Sequence, residues 1–171
     1  MSNETLVEAG ALAFFKDLQP SASDFRADVL AGLRKPQKAI SPKYFYDAAG
    51  SAIFDRITEA PEYYPTRTEL SLLDRIGPEL KALAGSGAVV LEPGAGSSVK
   101  IRRLLDALDH PAAFVGMDIS GDHVKAACAD IASDHPDLTV GAICHDFTQT
   151  LDVDALDLPE GRRIVFFPGS T

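Results

Sequence analysis

The sequence predicts an α/β fold built on a parallel sheet, and three features carry that expectation. Residues 88–100 read Ala-Val-Val-Leu-Glu-Pro-Gly-Ala-Gly-Ser-Ser-Val-Lys, an apolar run that ends in an acid and then Gly94 and Gly96. A buried parallel strand hands over to a tight turn and a helix in this way. Beyond the turn, Ile101, Leu104, Leu105 and Leu108 recur at helical spacing, so one helical face can lie on the sheet. The alternation then continues. Ala113–Asp118 reads as strand, Gly121–Ser133 as helix with Val124, Ala127, Cys128 and Ile131 inward, and Leu138–Cys144 as strand. Ile164–Phe167 reads as a further strand placed beside the first. Strands joined by helical or loop crossovers form a parallel sheet.

The part before residue 85 reads as helical. Residues 1–20 carry an apolar patch, Ala11 to Phe15, without a period, and are expected to form an arm over the body. A helix is predicted from Ser23, a good N-cap, with Phe25, Val29 and Leu33 at four-residue steps and Pro36 as its end. A short amphipathic helix follows, with Ile53, Phe54 and Ile57 inward. In Ala-Pro-Glu-Tyr-Tyr-Pro-Thr-Arg, residues 60–67, two prolines bracket the tyrosines and present them from a stiff loop. Helix is predicted again from about Thr66, with Leu70, Leu73 and Ile76 on one side. Gly77-Pro78 is expected to break or kink it, and Gly85-Ser86-Gly87 makes the turn into the first strand. The expected organisation is a helical region over 1–84 and a ligand-binding α/β region over 85–171.

With 171 residues and 46% hydrophobic content, the chain can bury a real core. A net charge of −9, with dispersed Lys and Arg, argues against nucleic acid or an anionic membrane as the main partner. Cys128 and Cys144 make neither a disulfide framework nor a metal spacing and read as small buried residues. Together with the lack of a signal pattern, this points to a cytoplasmic protein. The histidines, at 110, 123, 135 and 145, show no metal-binding spacing, so no metal is expected.

Candidate ligand residues follow from position. Glu92, Asp118 and Asp146 stand at or just beyond strand carboxyl ends, where acids of successive crossovers line one edge of a crevice. Asp118, 22 residues after Gly96, is placed to accept hydrogen bonds from ribose hydroxyls. Asp146-Phe147 can take an adenine amino group on the carboxylate and stack the base on the ring. Lys100, in the first turn of its helix, reads either as a solvent-exposed surface lysine or, since it lies on the unfavourable side of the helix dipole, as a cation offset by a carboxylate such as an amino-acid tail of a ligand. The GxG turn has Val99 where a dinucleotide fingerprint has glycine, and Ser98 where the GxGxG form has it. All 4 tyrosines lie between Tyr44 and Tyr64. They read either as outer-core packing or as phenols pointing into a ligand site.

These residues resemble the amino-terminal part of the histidine-specific Nα-methyltransferase family, S-adenosylmethionine-dependent enzymes of ergothioneine biosynthesis. The resemblance runs from about Asp24 through Lys43-Tyr44-Phe45-Tyr46-Asp47, Phe54-Asp55 and Pro61-Glu62-Tyr63-Tyr64-Pro65-Thr66-Arg67. It continues through Glu92 to Lys100, Asp118-Ile119-Ser120, Asp146-Phe147 and Phe167-Pro168-Gly169-Ser170-Thr171. It implies a Rossmann-like class I methyltransferase fold with an incomplete sheet. It further implies S-adenosyl-L-methionine bound by Gly94, Lys100, Asp118, Asp146 and Phe147, and an amine substrate, histidine, met by Tyr46 and Tyr63. The family's turn reads Leu-Gly-Ser-Gly-Thr, whereas Pro93 here removes a backbone donor. Family members continue well past the Gly-Ser-Thr, so the chain is expected to be an amino-terminal fragment, inactive alone, of a full-length form expected to be a monomer. The competing readings are a non-catalytic Rossmann-like binding module, a methyltransferase for another amine, and an NAD-dependent oxidoreductase, which the missing third glycine disfavours.

Overall fold

The computed structural model describes residues 11–18, 25–45, 48–96 and 98–168. Among these residues five strands form one all-parallel sheet: β1 (Phe14–Asp17), β2 (Val89–Pro93), β3 (Ala113–Asp118), β4 (Thr139–Cys144) and β5 (Arg163–Val165). Their order is β1-β4-β3-β2-β5. The helices are α1 (Phe25–Arg34), α2 (Ala48–Glu59), α3 (Pro65–Ala84), α4 (Ser98–Ala107) and α5 (Gly121–Asp134). The succession β2-α4-β3-α5-β4 steps in one direction across the sheet, whereas β5 returns to the other side of β2. The strand order therefore reverses between β2 and β5, beside the Gly94 turn, where open α/β sheets bind ligands.

Alternation along the central strands sorts side chains onto two faces. Val90, Phe114, Val140 and Ala142 join Ile101, Leu104, Leu105, Val124, Cys128 and Ile131 of α4 and α5 in one buried cluster. Leu91, Val115, Met117 and Ile143 form the other face, covered by Leu156 and by Phe14, Leu151, Val153 and Leu158. Both cysteines are buried as expected, and burial is the leading cause that raises both thiols, Cys128 to about 12.

The expected arm over 1–20 is corrected in part: Phe14–Asp17 is an edge strand pairing in parallel with β4. A Cβ on Gly141 would stand 2.2 Å from the Phe14 ring, so the bare backbone of Gly141 is the seat for that ring. On the opposite face Phe15 lies under the Lys125 ammonium, 5.1 Å from its centroid. The expected break at Gly77-Pro78 does not occur, and α3 runs unbroken from Pro65 to Ala84. Proline disfavours helix before it by pressing on the preceding Cβ, and Gly77 has none. The same glycine lets α3 close on α4, since a Cβ there would meet that of Ala107 at 3.2 Å.

The inward face expected for the second helix is also corrected, and the stripe of the first is likewise uncovered. Phe25, Leu33, Ile53 and Ile57 are exposed, while Phe54 is half-buried. Phe25 packs edge-on against Tyr44 instead, with centroids 4.8 Å apart. Periodicity shows that an apolar stripe exists; what covers it is a tertiary matter.

Candidate cofactor site

The turn after β2 is built by its neighbour. The Gly94 and Ala95 amides both donate to the Met117 carbonyl, at 2.7 and 3.0 Å, and Gly94 takes φ +74°, a conformation that glycine adopts without strain. Pro93 removes no bond that this turn uses, because the two amides after it carry the contact to β3. Gly96 donates to the Gly94 carbonyl at 2.7 Å, and its own carbonyl meets His123 Nε2 at 2.7 Å, which fastens the turn to the start of α5.

Asp118 closes β3 next to this turn. Its Oδ1 accepts from the Ser120 amide at 2.8 Å, which fixes the carboxylate at the entrance of α5. The His145 amide donates to the Asp118 carbonyl at 2.8 Å and carries the pairing of β3 and β4 one step past the strands, so Asp146 emerges beside Asp118. Asp146 Oδ1 accepts from the Thr148 amide at 3.0 Å and from its hydroxyl at 2.6 Å, an Asx turn that holds the carboxylate at the strand exit. Gly94, Asp118 and Asp146 thus stand along one edge of the sheet. Phe147 follows them, exposed, with its ring against Phe167 at 5.6 Å.

Lys100 lies elsewhere than a reading of its helix position suggests. It is buried, and its ammonium pairs with Glu69 of α3 at 2.5 Å. Glu92, expected at the crevice edge, is instead 2% exposed beneath the turn. Among the described residues its Oε2 has no hydrogen-bond partner, and the space it shares with Ala95, Ser98, Phe114 and Cys128 has no room for water. Burial pushes its carboxyl up to about 8, with Lys100 pulling the other way.

The tyrosine loop reaches the same end of the sheet. Lys100 meets Glu69, Arg103 meets Asp74 at 3.8 Å, Gly77 faces Ala107 and Lys81 meets Asp109 at 2.7 Å. Positions on α3 and α4 advance together, so the helices run parallel and their amino ends lie together at the Gly94 turn. The loop before α3 is therefore on the ligand side. Arg67 holds it closed by donating to the carbonyls of Ala60 at 3.0 Å and Pro61 at 2.5 Å. Tyr63 is half-buried, edge-on to Phe54 at 6.2 Å, while Tyr64 is exposed. Tyr46 lies outside the described residues. Glu69, Arg67 and His123 had no signal in spacing, because their partners are backbone carbonyls or a helix 31 positions away.

A parallel sheet reversing its order beside a glycine turn, with acids at the next two strand ends, is a Rossmann-like fold of the methyltransferase class. Residues 25–171 match the family described as histidine-specific methyltransferase, SAM-dependent, and the chain belongs to that family. It is 41% identical over 165 residues to a histidine N-alpha-methyltransferase of Mycolicibacterium smegmatis, covering 94% of this chain and 50% of that protein. It is 39% identical to the Mycobacterium tuberculosis protein of the same name, over 85% of this chain and 45% of the relative. The ergothioneine biosynthesis protein 1 of Neurospora crassa is 32% identical over 52% of the chain and 10% of its own length. The chain spans about half the length of the first two of these relatives.

Proposed function

We propose that this chain carries the methyl-donor site, and a loop of the substrate site, of an N-methyltransferase acting on the α-amine of L-histidine in an ergothioneine-type pathway. The supporting observation is the placement of Gly94, Asp118 and Asp146 at adjacent strand ends beside the reversal of strand order, in a chain of a histidine-specific family. Residues 85–171 form the donor region, and 1–84 add the edge strand β1 and the helical region with the tyrosine loop.

The residues fit an adenosyl ligand. Neither φ nor packing requires glycine at position 96, since a Cβ there would make ordinary 3.5 Å contact with His123. Its absence keeps space beside the turn for a ligand to approach the backbone. Bound S-adenosylmethionine supplies a methyl group on a sulfonium, an electrophile for a neutral amine. The chain's own task is positioning and exclusion of water. Asp118, oriented through Ser120, accepts from ribose hydroxyls. Asp146, oriented through Thr148, faces the base, and Phe147 stacks on it. Lys100 contributes positive charge at the amino end of α4 toward a ligand carboxylate, shared with Glu69. Tyr63 and Tyr46 border the amine from the loop and from the segment before α2.

Calorimetric titration tests the donor site. S-adenosylhomocysteine is expected to bind more tightly than NAD, and Asp118→Ala to cost on the order of 1.5–3 kcal/mol of that affinity. Preferential binding of NAD overturns the reading. The acceptor is tested by transfer of labelled methyl to L-histidine against other amino acids. A different preferred acceptor removes histidine while leaving the donor site in place.

A further inference from the structure

Sheet order decides how far apart two exposed rings start. β4 and β5 are separated by β3 and β2, so their carboxyl ends lie roughly 14 Å apart at about 4.8 Å per strand step. Phe147 stands three residues beyond β4, and Phe167 two residues beyond β5. Their ring centroids are nevertheless only 5.6 Å apart, at an interplanar angle of 62°. The two chain exits therefore turn toward each other across the ends of β3 and β2, the strands that carry Asp118 and the Gly94 turn. Neither ring is core: Phe147 is 48% and Phe167 58% exposed. Two large apolar rings kept in water across a polar crevice make poor structural cement, and they suit a planar ligand that covers them.

We infer that Phe167 is the second aromatic wall of the base-binding end of this site. Its ring meets Phe147 in an edge-type contact and sets the plane of that ring across the crevice, and the pair closes on a purine. The inference rests on the adenosyl-ligand reading and extends it across the reversal of strand order, to a residue on β5's side. It makes Phe167 a base-contacting residue, separate from Asp118, which serves the sugar.

The test uses S-adenosylhomocysteine and adenosine as probes, titrated into wild type, Phe167→Ala, Phe167→Leu and Phe167→Tyr. Loss of the ring should weaken both probes by the same factor, about tenfold, because the lost contact is to the base they share. Phe167→Leu should weaken them as Phe167→Ala does, Phe167→Tyr should retain affinity, and the ligand-free Tm should stay near wild type. If Phe167→Ala and Phe167→Leu bind within twofold of wild type while Asp118→Ala still loses binding, the inference fails and the donor site stands. Full affinity in Phe167→Leu alone, where Phe167→Ala unfolds, also overturns it. Failure of wild type to bind either probe removes the adenosyl reading itself, and this inference with it.

Discussion

Glu92 ties the stability of the fold to pH. Its carboxyl ordinarily titrates near 4.5, and burial lifts it to about 8 in the folded chain, against the pull of Lys100. Between those values the folded state holds a proton that the unfolded state has released. The contribution is therefore complete below pH 4.5 and is lost as pH rises through about 8. Each pH unit in that window costs about 1.4 kcal/mol, so the whole span amounts to about 5 kcal/mol. This is as large as the entire stability of many domains. Glu92→Gln keeps the shape and removes the charge.

The assay is urea unfolding followed by circular dichroism, at pH 5, 6, 7 and 8, for wild type and Glu92→Gln. Wild type should lose stability steadily toward pH 8, while the variant stays nearly flat. The two should be close at pH 5 and several kcal/mol apart at pH 8. Parallel profiles would refute the reasoning, because Glu92 would then be ionised in the fold, hydrated or paired in a way that its surroundings here do not provide.

Other outcomes follow from neighbouring contacts. Glu69→Gln removes the carboxylate paired with the Lys100 ammonium and strengthens that charge's pull on Glu92, which should lower the Glu92 carboxyl and flatten the same stability profile above pH 6; an unchanged profile would mean that Glu69 does not compete for Lys100. Gly116→Ala places a Cβ 2.5 Å from Cys128 Sγ and 3.0 Å from the Ala95 Cβ, and should cost about 1–3 kcal/mol, read as a fall in Tm. Adding Cys128→Ala should recover part of that loss, and no recovery would place the strain elsewhere. Arg67→Ala removes the donors to Ala60 and Pro61 and should speed amide exchange at Tyr63 and Tyr64 about tenfold, with little effect on the sheet. Unchanged exchange there would show that the bracketing prolines hold the loop unaided.

Local pattern is enough for the middle of this protein. The apolar runs of β2, β3 and β4 and the helical stripes of α4 and α5 are read correctly, because the strands are buried on both faces, each helix buries one dominant face against its chain neighbours, and each element carries its own turn chemistry. The edge strand β1 has no such pattern: four residues with a ring on each face become a strand only because Gly141, far along the chain, leaves a seat for Phe14. The same holds for α3, where Pro78 reads as a stop until the missing Cβ of Gly77 and the approach of Ala107 are known. Site residues divide likewise. The placement of Gly94, Asp118 and Asp146 is legible because the carboxyl ends of parallel strands converge on one edge whatever the details. The protein partners of Lys100 and Glu92 are not, because side-chain direction decides which neighbouring group a charge meets. Here Lys100 turns to Glu69 on α3, and Glu92 is sealed beneath the turn. Spacing along a chain carries backbone position, whereas the partner of a charge is decided by elements distant in sequence that only folding brings within a few ångströms.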